Sequence, residues 1–488
     1  MRANLVAAIA FAAFSALFTM APASGVALNP RGLGQVLIFP YYTVNKSQDT
    51  LLSIGNAGDT GKAVHVRFRE SYNARSVLEF DLFLSAHDVW TAVITQSSDD
   101  GPAQIHTADR SCTNPLVPGF GQQVFLTGGY SGFEYDSGPQ TPARTREGYI
   151  ELIAVGDTTP GSPLDQTITH VQDGTPGGGV PVCDVALLNA AALTIAPSAN
   201  LFGSVAIVDV GQGTFFGYTP DALSGFTDQP LATGYGFGFN DDRPSLKDSN
   251  TTVAAPLIRA SVMAGSRPLD VDYAFPIDAV TAVFMSDAIS NEYLVDPSFG
   301  ASTDWIVTLP TRAYYTDGFH VGPVLPPFSA SFVDGRSDTI VTGTVYDREE
   351  DNLVTISACT LCPPVSQAPS FPYAANVLHF NGSAASGVFG SNVVPFSIEL
   401  AGSTAGNVVL NLVDTDGIQQ LPGGTDADGH SVALLGLPVT GFMAYNVINT
   451  QAQPGLLANY SGVFANRATA SCVGSSSSCT VTITSPPR

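Results

Sequence analysis

Lys62-Ala-Val-His-Val-Arg-Phe-Arg-Glu70 alternates without a break: Val64, Val66 and Phe68 share one face, and Ala63, His65, Arg67 and Arg69 the other. That is the pattern of a half-buried strand. Val77 to Leu84 repeats it, with Leu78, Phe80, Leu82 and Leu84 opposite Val77, Glu79, Asp81 and Phe83, and Asp88 to Ile94 adds a further strand around Trp90. Upstream, Thr50 to Ile54 is strand-like, and Asn56-Ala-Gly-Asp-Thr-Gly61 carries turn chemistry. Gln35 to Thr43 is a buried-type run interrupted by Pro40, so it reads as an edge strand or a strand with a bulge. Strands spaced about ten residues apart with short turns between them are the pattern of a sandwich. Gly34 to Thr95 is therefore read as its opening sheet, and the fold class as mainly β: one or two Ig-like antiparallel β-sandwiches with long Gly/Pro-rich loops.

Composition agrees with many short strands. The 488 residues include 48 Gly and 34 Pro, and only 12% are charged, so the polar surface must come mostly from Ser, Thr, Asn and Gln. With 42 Asp and Glu against 19 Lys and Arg, the net charge of -23 opposes nucleic-acid phosphates and anionic lipid, so neither is an expected partner. An acidic surface is compatible with cation binding or with simple solubility outside the cell.

Residues 1–27 have the layout of a secretory signal peptide: Arg2, an apolar run from Leu5 to Met20, then small-residue cleavage sites at Ala21-Pro-Ala23 or Gly25-Val-Ala27. No later stretch is apolar for long enough to form a membrane-spanning helix. Six cysteines follow, and an even number in an exported chain favours three disulfides, although six allow about 15 pairings. Sequence neighbours give the simplest set: Cys112 with Cys183, Cys359 with Cys362, and Cys472 with Cys479. Cys359-Thr-Leu-Cys362 matches a redox CxxC in spacing, but Pro363-Pro364 follows it, without the strand-then-helix setting that lowers a thiol pKa.

Further along, regular patterning lapses between Gln96 and Gly148 and returns at Tyr149 to Val155. Ala186 to Leu193 reads as a short helix, Leu201 to Val210 with Thr214 to Tyr218 as a hairpin, and Ala279 to Tyr293 as either helix or strand. Asp304 to Pro310 is a strand. Gly322-Pro-Val-Leu-Pro-Pro-Phe328 is the most linker-like stretch, which divides the mature chain into 28–321, a β-sandwich with loop insertions, and 322–488. The second region carries strand patterns at Asp338 to Tyr346, Asn376 to Phe380, Val393 to Leu400, Asn407 to Val413 and Ser431 to Val447. It forms a second sandwich or completes the first.

Several runs resemble a family of exported proteobacterial proteins described as hypothetical or cell-surface: Leu28 to Asn45, Val66-Arg-Phe-Arg-Glu70, Arg146-Glu-Gly-Tyr-Ile-Glu151, Thr303 to Thr311, Tyr346-Asp-Arg-Glu-Glu350 and Gly436 to Phe442. The resemblance spans nearly all of the mature chain. It implies export and β-rich character, and no catalytic residue comes with it.

Candidate sites are few. Asp414-Thr-Asp-Gly417 and Asp426-Ala-Asp-Gly429 set paired carboxylates before a glycine, as Ca2+ loops do, making Asp414, Asp416, Asp426 and Asp428 candidate Ca2+ ligands; Asp-Gly is equally a hairpin turn. Neither loop has the distal Glu of an EF-hand. Asp347-Arg-Glu-Glu-Asp351 reads as a cation-binding or solvated turn, and His87-Asp88 has no G-x-S-x-G elbow beside it. Tyr41, Tyr42, Tyr314 and Tyr315 are either core or a sugar-stacking platform. Thr480 to Ser485 alternates as a terminal strand able to pair with a sheet edge, in its own chain or a neighbouring copy, with Gln35 to Thr43 as one such edge.

The expected function is a secreted structural or adhesive cell-surface protein that self-assembles through terminal strand pairing, with itself or other surface components as partners. Two alternatives stand beside it: a secreted polysaccharide-acting hydrolase, and a carbohydrate- or Ca2+-binding module.

Overall fold

The computed structural model describes residues 25–117, 122–171, 179–190, 193–233, 243–250, 256–317, 322–357, 369–380, 387–414, 416–453 and 456–479. It is mainly β, 47% strand and 11% helix, in several antiparallel sheets of the sandwich type. The expected signal segment up to residue 24, Cys359, Cys362 and the terminal strand Thr480 to Ser485 lie outside these residues. Among the described residues no helix is long and apolar enough to cross a membrane.

Two sheets form the N-terminal sandwich. One has seven strands in the order Ala27–Leu28, Asp221–Ser224, Val36–Thr43, Glu147–Asp157, Lys62–Glu70, Ser76–Leu84, Cys112–Asn114. The other has six, in the order Thr214–Tyr218, Leu201–Asp209, Asp49–Asn56, Val89–Gln96, Ala103–His106, Gln122–Val124. Between them lies a core that includes Val64, Val66, Phe68, Leu52, Ile54, Trp90 and Ile94, supplied by the apolar faces that alternation predicts. Thr214–Tyr218 does form a hairpin with Leu201–Asp209.

The other face of the seven-stranded sheet is not left to water. Val36, Ile38, Tyr149 and Ile153 pack into a second core with Trp305, Leu378 and Val408 from the C-terminal half. All nine residues of Lys62–Glu70 are consequently buried, where alternation predicts a half-buried strand. Both faces of this sheet are interior, as in sheets covered on each side.

Gln35 to Thr43 is not an edge. Val36–Thr43 pairs with Glu147–Asp157 on one side and with Asp221–Ser224 on the other. Pro40 fits this central position through a bulge: Pro40 and Tyr41 oppose the single residue Tyr149 between the Phe39–Ile150 and Tyr42–Gly148 pairs.

Among the described residues the remaining strands build three five-stranded sheets and a two-stranded one, Met285–Ser286 with Leu437–Pro438. Ala301–Thr308 pairs with Ala375–Phe380 and Phe442–Gln453, while Ala288–Leu294 pairs with Ala405–Asn411. Strands on either side of Gly322–Phe328 thus share sheets, and the change of pairing partners falls between Asp221–Ser224 and Ile258–Ala264. Between Ala279 and Tyr293 the chain is both things in turn, the end of helix Pro276–Ala282 and then the strand Ala288–Leu294. Cys112 is bonded to Cys183 and Cys472 to Cys479.

Candidate functional site

Cross-strand register places opposite charges side by side on the buried outer face of the seven-stranded sheet. His65 faces Asp81 and Arg67 faces Glu79 on one neighbouring strand, while Glu151 faces Arg67 from the other. Arg67 Nε donates to Glu79 Oε2 at 2.8 Å and Nη1 to Glu151 Oε1 at 3.0 Å, and Arg69 Nε donates to Glu151 Oε2 at 3.2 Å. His65 Nδ1 lies 2.8 Å from Asp81 Oδ1 and Nε2 3.3 Å from Glu79 Oε2. Burial and Arg67 push the His65 pKa down, but hydrogen bonds to Asp81 and Glu79 outweigh them, and it ends above its ordinary value. Burial raises the Glu79 pKa, yet Arg67 and His65 bring it below the usual carboxylate range.

A second group fixes the loop before Glu147–Asp157. Arg144 Nε and Nη2 donate to both oxygens of Glu70 at 2.8 and 3.0 Å, and Nη2 also donates to Asp136 Oδ2 at 2.6 Å. Its guanidinium lies 4.4 Å from the centre of the Tyr130 ring. Arg75 bridges Asp136 to Asp317, which belongs to the C-terminal half. Glu147 makes a third link: it accepts from Tyr41 Oη at 2.8 Å, Ser391 Oγ at 2.6 Å and the Asn392 N–H at 2.8 Å. Burial raises the Glu147 pKa above the usual carboxylate range despite those donors. Charged side chains in interior positions need such partners, and here they tie strands and loops together.

The two Asp-Gly loops are turns held by their own carboxylates. Asp414 Oδ1 accepts from the N–H groups of Ile418 and Gln419 at 3.0 and 3.1 Å. Asp426 Oδ1 accepts from those of Asp428 and His430 at 3.0 and 2.8 Å. One ligand atom from each of Asp426, Asp428 and His430 lies within 4.8 Å of the others, whereas Asp414 and Asp416 join no such group among the described residues. An imidazole beside two carboxylates suits a transition metal better than Ca2+, which takes oxygen ligands. In Asp347–Asp351, Asp347 Oδ1 likewise accepts from the Glu349 and Asp351 N–H groups, which makes it a turn.

Asp88 meets a histidine that adjacency in sequence does not indicate. His170 Nε2 is 3.3 Å from Asp88 Oδ2 and 3.4 Å from Ser111 Oγ, so one nitrogen faces both partners. A nucleophile relay needs the serine and the acid on opposite ring nitrogens, and the other, Nδ1, contacts the Gly179 carbonyl at 3.1 Å. Of the two readings of the tyrosines, Tyr41, Tyr42 and Tyr315 take the core one: all three are buried, and Tyr315 donates to Asp278, while Tyr314 is half-buried and accepts from Arg69 Nη2 at 3.2 Å.

One arrangement escapes sequence reading. His379 Nδ1 lies 2.8 Å from Asp304 Oδ1, and Asp304 Oδ2 accepts from the Phe389 N–H at 3.0 Å. His379 lines a groove of about 620 Å³ with Lys46, Ser302, Ser403, Thr404 and Asn446. The available signal is one charged residue in each of two otherwise apolar strands, Thr303-Asp-Trp-Ile-Val307 and Asn376-Val-Leu-His-Phe380. Compared with models of known protein families, with curated proteins and with solved structures, the chain matches none.

Proposed function

We propose that this chain is an exported structural or adhesive component of the cell surface, in which a braced β-scaffold presents its outer faces to partners. The observation that carries this reading is where the charged residues of the quoted runs lie. Arg67, Glu70, Glu147, Glu151 and Asp304 are all buried and bonded to neighbouring strands or loops, so three of the six runs are engaged in bracing, while Arg31, Arg348, Glu349 and Glu350 of two others are exposed. Two disulfides favour an oxidising compartment, and the N-terminal apolar run followed by small residues favours export. Self-assembly through the terminal strand has to use an edge other than Val36–Thr43, which is paired on both sides.

The hydrolase alternative needs two carboxylates facing each other across a cleft. Among the described residues the groove at His379 is lined by no carboxylate, since Asp304 stands behind the imidazole. A deletion strain tests the surface reading. Reduced attachment or aggregation, restored by the complementing gene, is expected; unchanged attachment together with loss of a polysaccharide-degrading activity from the medium favours the hydrolase.

A further inference from the structure

The outward face of the six-stranded sheet is uncovered, and its composition is unusual for a protein this acidic. Leu51, Val89, Phe202 and Phe215 are 41%, 43%, 36% and 58% exposed. Register confirms that they share a face: Phe202 stands opposite Gly55, Leu51 opposite Ala206, and Phe215 opposite Val208. Along this face, from Asp49 to Gly55, Thr91 to Thr95, Phe202 to Val208 and Phe215 to Gly217, Asp49 at one end is the sole outward Asp, Glu, Lys or Arg.

Glycines let the two phenylalanine rings lie down. A Cβ on Gly55 would stand 2.3 Å from Phe202 Cζ, and one on Gly217 would stand 2.8 Å from Phe215 Cε1, so each ring rests where a side chain would otherwise rise. Ala206 faces Gly217 and lies four residues from Phe202, which sets the rings about 13 Å apart along the strands at 3.3 Å per residue. Beside them a shallow groove of about 430 Å³ crosses the neighbouring strands, lined by Leu51, Ser53, Thr91, His106, Ser204 and Ala206.

We propose that this face binds an uncharged polysaccharide. A flat, half-exposed ring offers its π face to the C–H side of a pyranose, and the hydroxyl and imidazole groups beside it match sugar hydroxyls in both donating and accepting. Charge selects the polymer: the net charge of -23 repels polyanions, and Asp49, the one carboxylate in register on this face, lies at its end beside Val208, where it can accept from a sugar hydroxyl but gives a polycation a single partner. A second copy of the chain fits less well. Two sheets packed face to face interdigitate bulky side chains over roughly 800 Å² per partner, whereas Leu51 and Val93 in the middle of this face stand among Gly55, Ser53, Ser204, Ala206 and Gly217.

This site rests on the adhesive reading and names what the adhesin holds. The test is native electrophoresis of the mature protein through gels containing a soluble β-glucan, a galactomannan or a dextran, with alginate as the anionic control, alongside light scattering. Retardation by at least one uncharged polymer and not by alginate is expected, with affinity falling tenfold or more in Phe202→Ala/Phe215→Ala and retained in Phe202→Tyr/Phe215→Tyr. Unchanged thermal melting of both variants shows that folding is intact. Three results overturn the site: no retardation by any uncharged polymer, retardation that the alanine variant keeps, or a dimer that the alanine variant abolishes. None of them bears on surface exposure of the protein, which is measured on whole cells.

Discussion

Arg67 and Glu151 face each other across neighbouring strands, 3.0 Å apart from Nη1 to Oε1, and both side chains are sealed from solvent. Removing the arginine leaves Glu79 to His65 and weakens the hold on Glu151 in an interior that cannot hydrate them. Breaking a buried pair from one side costs about 3–5 kcal/mol, so Arg67→Met is expected to lower the urea unfolding midpoint by that equivalent. Replacing its partner too, as in Arg67→Met/Glu79→Leu, should recover part of the loss. A single variant as stable as the parent would show that the network contributes nothing.

Stability should peak in mildly acidic solution. The folded pKa of His65 lies above its ordinary 6.5, so its contribution is full below 6.5 and is lost as pH rises through the raised value. Glu79 is depressed below 4.5, so its contribution holds above 4.5 and is lost as pH falls through the lowered value. Burial raises Glu147, Asp221 and Asp278, and each loses its contribution as pH climbs through its raised folded value. Thermal melting from pH 4 to 9 should therefore show its maximum at the acid end, at a pH of about 4 to 5, and a decline from there through neutrality. His65→Gln flattens the neutral part of that decline and Glu147→Gln the acidic part; a parent curve still rising at pH 8 contradicts this assignment.

The two disulfides among the described residues should differ in effect. Cys112 and Cys183 are separated by 71 positions and Cys472 and Cys479 by 7. Loop entropy assigns about 4 kcal/mol to the first and about 2.5 kcal/mol to the second. Paired Cys→Ser variants compared by urea denaturation check the order, and a larger loss from the short loop reverses it.

Under the proposed export, the fold limits where a signal segment could be cleaved. Val26 is fully buried, donates its N–H to the Arg259 carbonyl at 2.8 Å, and precedes Ala27–Leu28, which pairs with Leu223 and Ser224. Cleavage after Ala23 keeps this edge, whereas cleavage after Ala27 removes part of it. Intact-mass measurement of exported protein should give an N-terminus at Ser24; one at Leu28 would mean that the edge is dispensable.

Calcium should have little effect. The Asp414 and Asp426 carboxylates already accept backbone N–H groups that shape their turns. A cation present at 100 times its Kd would add about 2.7 kcal/mol. Melting with millimolar Ca2+ and with EDTA is expected to coincide, and a clear rise with Ca2+ would restore Asp426 and Asp428 as ligands.

The strands were legible because alternation is a local property: Val64, Val66 and Phe68 point to the sandwich core as the pattern requires. What alternation hides is the cover on the opposite face. Arg67, Arg69 and Glu151 look solvent-facing in sequence, and only packing of the C-terminal half over them makes that face interior. Pro40 misled for a related reason, since a bulge accommodates a proline in a strand paired on both sides. The Asp304–His379 contact joins residues 75 positions apart, and Phe202 meets Gly55 across strands far apart in sequence, so neither has a local spacing signature. The Asp-Gly turns were visible as turns, because Asp side chains cap their own backbone two to five residues on.

Surface exposure in the producing cell tests the central claim most directly. Intact cells are treated with a membrane-impermeant biotin reagent that reacts with amines; Lys247 and the new N-terminus are among its targets, and the captured protein is quantified against a lysed control. Labelling of intact cells at a level close to that of lysed cells is the result this account predicts. Labelling only after lysis would contradict a role at the cell surface.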